Sequence, residues 1–399
     1  MTADLEARLA EVLAPGTRIA LGDGCGAPRS LYGPLSRVAA GRDLRLVVGW
    51  MPAHAPELDF EAFTDVRVLT GGPGARRAID AGHAGFVPTR LSAVPTLLAG
   101  PLRPDLLLTT LVRRPDGLHL GAEACYLRGL IEAGVPTAAV IAPGPCADAG
   151  PPVPVERITV LGETDDLPLE IVAPPPTAAD EQAAKLVAGL VPEGARVQVG
   201  PGRLGAAIAS ALRTPIRIDS GLLPDAVVDL DARGLLIDEP VATYLCGTRR
   251  LYDWADGRRV LHPIEVTHDL GRLSAAASEP LVAMNAALEI DLDGQVNVEG
   301  VGRTAAGMIG GHPDFAAAGA RGAGLSVIAL ASSHTGRSTL VRRLSRPVTT
   351  ASHDVDVVVT EHGIADLRGR TRAERRQALL DLWGGGVHEN DDERGAAHA

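Results

Sequence analysis

The sequence predicts an α/β protein of two domains, each a mostly parallel sheet flanked by helices, and three observations carry that prediction. The chain has 399 residues, too long for one ordinary core and enough for about two domains of roughly 200 residues each. Continuous apolar runs bounded by turn residues alternate with helical segments, which is the pattern of strands covered on both faces. The order strand, glycine turn, helix also occurs twice, once near the N-terminus and once past the middle of the chain.

The first element is an acidic amphipathic helix in MTADLEARLAEVL, which lacks the basic and apolar regions of a signal peptide. A short strand, Arg18–Leu21, then delivers Gly22, Gly24 and Gly26 into a loop, and a helix follows over 30–38. Strand, glycine turn and helix suggest a phosphate or cofactor site, although no acidic residue follows at the end of a clear second strand, as a dinucleotide fingerprint requires. Further strands are expected at 44–48, 66–69, 106–111 and 137–141, with helical or loop segments at 75–81 and 125–133 between them.

The domain boundary is placed in IVAPPPTAADEQ, because consecutive prolines fit neither a helix interior nor a central strand. The expected domains are 1–174 and 175–384, followed by a disordered tail, 385–399, that has no apolar periodicity. Thr177 or Asp180 caps the next helix, and strand 197–199 leads through Gly200 and Gly202 into a helix over 204–212. Near the end, Thr371 and Glu374 form a capping box ahead of a helix carrying Ala378, Leu379 and Leu382 on one face.

Hydrophobic residues make up 46% of the chain and aromatics only 3%, so the core is built from Ala, Val, Leu and Ile. The net charge of -11 argues against nucleic acid as a main partner. Cys25, Cys125, Cys146 and Cys246 form no CxxC pair and no Cys/His ligand spacing, which reads as buried thiols in a reducing cytoplasm with no metal. No apolar run approaches the ~20 residues that span a bilayer, so no membrane association is expected.

The richest stretch is 284–368. Leu288, Ile290 and Leu292 alternate with Glu289, Asp291 and Asp293, Asp293-Gly294 turns the chain, and Val296 and Val298 resume the alternation, which predicts a hairpin. Gly307, Gly310 and Gly311 follow in a loop with almost no side chain in the way, and Asp314 is placed to cap a helix from Phe315 onward. Exposed backbone N–H groups of this kind suit an anion or a thioester oxygen.

Taken together, N-x-A-x-E-x-D-L-x-G-Q-V (285–296), G-G-x-x-D-F (310–315) and V-V-T-E-x-G-I-A-x-L-R-G (358–369) resemble the acetyl-CoA hydrolase/transferase family, which includes the acetate and 4-hydroxybutyrate CoA-transferases. The resemblance implies two CoA-transferase-type domains with the site in the cleft between them, and acyl-CoA and a small carboxylate as substrates. In that family a glutamate attacks the thioester and then carries CoA as a glutamyl thioester. Gly310 and Gly311 are implied as oxyanion donors, and the Gly200–Gly202 turn as a further part of the CoA slot.

The family's glutamate lies a few residues before a D-x-V-V-D-L string. That string is 225–230 here, which puts Gly221 at the nucleophile's position. Glycine offers no nucleophile, and three explanations stay open. Asp219, two residues earlier on an extended chain, points to the same side and could act through water, giving a hydrolase. A carboxylate from elsewhere could serve, with Glu289, Glu299 and Glu361 as candidates, and His312 in the glycine loop is a candidate base. The third explanation is a catalytically silent CoA-binding homologue that acts as a homodimer or through a partner subunit. Arg342, Arg343 and Arg346 are candidates to hold CoA phosphates, since the usual basic segment near Arg321 is reduced to ARGAG.

Overall fold

A computed structural model describes residues 2–200, 202–275, 279–302 and 304–390. The chain forms two compact units, Met1–Val172 with Val241–Thr267, and Ala173–Pro240 with His268–Ala399. The sequence expectation of a single crossing at 174 therefore misses one feature: the segment 241–267 returns to the first unit. It is tied there by backbone bonds such as Leu245 N–H to Ala122 O (2.9 Å) and Ile171 N–H to Gly247 O (2.8 Å).

In the first unit, β1 (Arg18–Leu21), β2 (Arg45–Trp50), β3 (Asp65–Gly71), β4 (Gly85–Phe86), β5 (Leu106–Arg114), β6 (Gly117–His119), β7 (Thr137–Ala142) and β8 (Ile158–Glu163) form one sheet. Its order is β4-β3-β2-β1-β5-β7-β8, parallel throughout, with β6 turning back antiparallel on β5. The apolar runs are continuous because helices cover the sheet: Leu5, Leu9, Leu31 and Leu35 are buried with Ile19, Leu21, Leu46 and Leu108 in one core. Strand β8 escaped the sequence reading because its pattern is mostly exposed, as befits an edge.

The second unit opens with α1 (Ala178–Ala188), whose Thr177 accepts the Asp180 N–H while Asp180 reaches back to the Thr177 N–H. Its sheet comprises β9 (Arg196–Val199), β10 (Arg217–Ile218), β11 (Leu281–Ala286), β12 (Leu325–Ala329), β13 (Val357–Thr360) and β14 (Gly363–Asp366). The order is β10-β9-β11-β12-β13-β14, parallel except for the last pair. Helix α2 (Arg203–Ala211) connects β9 to β10 on one side, while α3 (His312–Gly319) connects β11 to β12 on the other.

The predicted hairpin is present, with Glu289–Asp291 antiparallel to Val296–Asn297. Two of its three acidic residues do not face water: Glu289 is 3% and Asp291 5% exposed, while Asp293 at the turn is exposed. Asn297 and Ser345 donate to Glu289, and Asp293 and Gln295 backbone N–H groups donate to Asp291. The helix over 372–382 has the predicted Thr371–Glu374 capping box, and its Leu379 is buried. Of the expected tail, 385–390 are described and belong to the fold: His388 N–H donates to Leu340 O and Arg342 N–H to His388 O, at 2.9 and 3.1 Å. Residues 391–399 lie outside the described residues.

Candidate functional site

The site candidates of the second unit gather where its parallel strands end. Ser220 Oγ, just past β10, donates to Val199 O at the end of β9 (3.1 Å), and the His312 ring reaches Ala286 O at the end of β11 (3.2 Å). In open parallel sheets this edge, where successive connections leave in opposite directions, is where ligands bind.

The glycine bend before α3 is anchored at its start, where Ala306 and Gly307 N–H both donate to Glu299 O (2.9 and 3.1 Å), and at its end, where His312 N–H donates to Ile309 O (3.2 Å). Among the described residues no protein acceptor takes up the N–H of Gly310 or Gly311, and both glycines are half-buried. Gly311 is the N-cap residue of α3, so these donors sit at the positive end of a helix. Asp314, expected to cap this helix, lies inside its first turn and is buried.

Gly221 and Gly311 face the same two rings. A Cβ on Gly221 would stand 3.2 Å from His268 Nε2 and 3.4 Å from Phe315 Cε2, and a Cβ on Gly311 would stand 2.4 and 3.1 Å from the same atoms. The two rings meet edge to face, with centroids 4.9 Å apart. His268 is 1% exposed, and burial together with the Arg272 charge lowers its pKa to about 3, so the imidazole is neutral. Phe315 closes the G-G-x-x-D-F motif, whereas His268 is not legible from the sequence. His268 carries no local pattern, and its proximity to Gly221 is purely tertiary.

Asp219 is not available as a base. It is 3% exposed, and Arg272 grips both of its oxygens (Nη1–Oδ2 2.8 Å, Nη2–Oδ1 2.7 Å) while Arg196 Nη1 adds a contact to Oδ2 at 3.1 Å. His312 is likewise committed to structure: Nδ1 accepts from Thr350 Oγ1 at 2.7 Å and Nε2 donates to Ala286 O, and burial lowers its pKa to about 4. Both corrections have one cause, partners contributed by segments remote in sequence.

Among the other carboxylates, Glu289 is held as described, and Glu361 spends both oxygens on Ser332, which pulls against burial and lowers its pKa. Glu299 differs. It is half-buried, its side chain accepts from Thr349 Oγ1 (3.2 Å), and desolvation raises its pKa. Its backbone carbonyl is the anchor of the glycine bend.

Gly200 follows β9, and Gly202 is the N-cap residue of α2. Gly202 adopts φ 98°, open to glycine and strained for other residues, and its carbonyl accepts the Ala206 N–H (3.0 Å). Arg342 pairs with Glu389 (2.8 Å) and Arg346 donates to Gly302 O (2.9 Å); with Arg343 and Arg376 they line a groove that also contains Asp291 and Asp293.

The N-terminal glycine loop is not a phosphate cradle. The N–H groups of Gly22, Gly24 and Gly26 donate to Leu108 O (2.6 Å), Trp50 O (2.8 Å) and Glu123 Oε2 (2.9 Å). Within the loop, Asp23 accepts from Tyr244 Oη (2.6 Å) and the Trp50 N–H (3.0 Å), and burial raises its pKa to about 6. Among the described residues no group of His, Cys, Asp or Glu is placed to hold a metal ion, and no helix is long and apolar enough to cross a membrane.

Residues 247–384 match the acetyl-CoA hydrolase/transferase C-terminal domain. The chain is 27% identical over 336 residues to the 4-hydroxybutyrate coenzyme A transferase of Clostridium kluyveri, covering 78% of this chain and 77% of that one. It is 28% identical over 337 residues to the succinyl-CoA:cyclohexane-1-carboxylate CoA transferase of Geobacter metallireducens, covering 77% of this chain and 75% of that one. The solved structure of RipA from Yersinia pestis has the same fold, with a TM-score of 0.84 at 22% identity over 98% of this chain and 94% of that one.

Proposed function

Starting from a chain that carries the C-terminal domain of the acetyl-CoA hydrolase/transferase family, we propose that it acts on acyl-CoA thioesters of small carboxylic acids and releases CoA by attack of water. The observation that carries this reading is the pair of N–H groups on Gly310 and Gly311, left without a protein acceptor among the described residues, beside a glycine at position 221. The pair suits the oxygen of a thioester carbonyl as it gains charge, and one such donor is typically worth about 3 kcal/mol in the barrier. Position 221 supplies no carboxylate, so the enzyme-bound CoA thioester is unavailable and the acceptor is water.

Glu299 is the base of this reading. Desolvation raises its pKa against the Thr349 hydrogen bond and the Arg346 charge, which supports proton acceptance, and its carbonyl ties it to the start of the bend. Glu299 takes a proton from water as oxygen bonds to the carbonyl carbon, Gly310 and Gly311 hold the oxyanion, and the C–S bond then breaks to release CoA thiolate and the free acid. CoA is thus a substrate portion and no further cofactor enters the scheme.

The test is purified protein with acetyl-CoA and labelled acetate. Thiol release without incorporation of label into acetyl-CoA is expected, and Glu299→Gln lowers that release by about 100-fold or more with little change in melting temperature. Label exchange at the rate of thiol release, or full activity in Glu299→Gln, overturns the assignment. Absence of both activities would favour a binding homologue.

A further inference from the structure

We propose that His268 sets the reaction type by occupying the space that a nucleophilic side chain at position 221 would need, so that the glycine and the histidine are a matched pair. This rests on the reading of the site as an acyl-CoA site. The argument is steric. His268 Nε2 lies 3.2 Å from where a Cβ on residue 221 would stand, closer than ordinary van der Waals contact, and Phe315 Cε2 closes the next direction at 3.4 Å. A glutamate adds three more heavy atoms beyond that Cβ.

The ring has little room to give way. It meets Phe315 edge to face, and the backbone of Gly311 approaches so closely that a Cβ there would stand 2.4 Å from Nε2. A side chain at either glycine therefore meets the same imidazole. Arg272, four residues further on in the helix Leu270–Ala275, is fixed on Asp219, which itself lies two residues before Gly221, so the histidine segment and the strand end are clamped to one another. The ring is an enclosed wall of the site, 1% exposed. It excludes a carboxylate without itself being the nucleophile.

Removing the wall should reopen the covalent route. With a glutamate at 221 and a small residue at 268, the carboxylate can attack the thioester carbonyl, form the acyl-glutamyl anhydride and expel CoA thiolate. That thiolate then attacks the glutamyl carbonyl and expels the free acid, leaving glutamyl-CoA. The protein gains the mass of CoA less one water.

The experiment compares Gly221→Glu, His268→Ala and the double variant in the full chain, by melting temperature and by intact mass after incubation with acetyl-CoA. In the His268 background Gly221→Glu should lower the melting temperature by about 4–8 °C, and most of that loss should vanish in the His268→Ala background. The CoA adduct should form in the double variant and at least 10-fold less in Gly221→Glu alone. The milder pair Gly221→Ala and Gly221→Ala with His268→Ala gives the same coupling should the glutamate variant fail to fold. Additive melting shifts, or equal adduct in the single and double variants, overturn the proposal. A folded double variant without adduct also overturns it if the unsubstituted chain releases thiol from acetyl-CoA; if that chain releases none, the acyl-CoA reading is what has failed.

Discussion

Replacing Asp219 by Asn separates a structural carboxylate from a catalytic one. The substitution keeps the shape and one oxygen but removes the charge and turns an NH2 group toward an arginine. In the native chain three hydrogen bonds converge on the carboxylate: 2.8 and 2.7 Å from Arg272, and 3.1 Å from Arg196. Arg196 is further fixed by the Glu279 and Leu273 carbonyls at 3.0 and 2.7 Å, so it cannot swing out to water. Breaking a buried ion pair from one side costs about 3–5 kcal/mol, and Arg272, with a third of its side chain in solvent, places this site near 3. For a domain of this size class, about 3 kcal/mol lowers the melting temperature by about 6–12 °C. The assay is differential scanning calorimetry beside thiol release from acetyl-CoA at a temperature where the variant is folded. The expected result is a large melting shift with activity per folded molecule within about 3-fold, since loss of a general base costs about 100-fold or more. An unchanged melting temperature with a loss of that size refutes the reasoning and returns Asp219 to the chemistry.

Two further substitutions probe the same edge of the sheet. Gly311→Ala forces His268 aside, since its Cβ would stand 2.4 Å from Nε2, and a displacement of that kind lowers thiol release on the order of 100-fold; Gly310→Ala, whose Cβ meets only Met308 at 3.9 Å, costs about 1–2 kcal/mol for its left-handed φ and leaves the bend in place. His312 is expected to make stability pH-dependent: the unfolded ring titrates near 6.5 and the folded one near 4, so below pH 6.5 the unfolded chain binds a proton that the folded chain does not, and stability falls with falling pH through that window. His268 acts in the same sense down to about pH 3, while Asp23, raised from 3.8 to about 6, acts in the opposite sense between those values. Denaturant titrations of His312→Gln at pH 4.5, 5.5 and 6.5 should therefore show an average slope shallower by about 1 kcal/mol per pH unit than the native chain, and an unchanged slope would show that the ring is not held neutral.

What the sequence reveals of this molecule is mainly what short-range physics determines. Thr177 with Asp180 and Thr371 with Glu374 are local capping boxes, and both helices begin where those residues place them. The apolar strands 106–114 and 137–142 read correctly because burial on both faces leaves no alternation to misinterpret. The hairpin was found by its period, but the fate of its polar face was not. Whether Glu289 and Asp291 meet water depends on Ser345 and the strand at Leu340–Val341, which no local pattern brings to them.

The two glycine loops make the same point about function. By composition, Gly22-Gly24-Gly26 is the better phosphate loop, since it follows a strand and precedes a helix. Its three N–H groups are nevertheless consumed by Leu108, Trp50 and Glu123, and a buried carboxyl lies where an anion would have to sit. Gly310-Gly311 has the weaker local signature, yet its N–H groups have no acceptor among the described residues, and Glu299 meets the start of the bend through its backbone carbonyl. A glycine loop binds an anion only if the rest of the fold leaves its donors unspent and adds no competing negative charge. That condition is set by residues distant in sequence, so motif strength alone does not tell which loop keeps its donors free, and no local pattern brings His268 beside position 221.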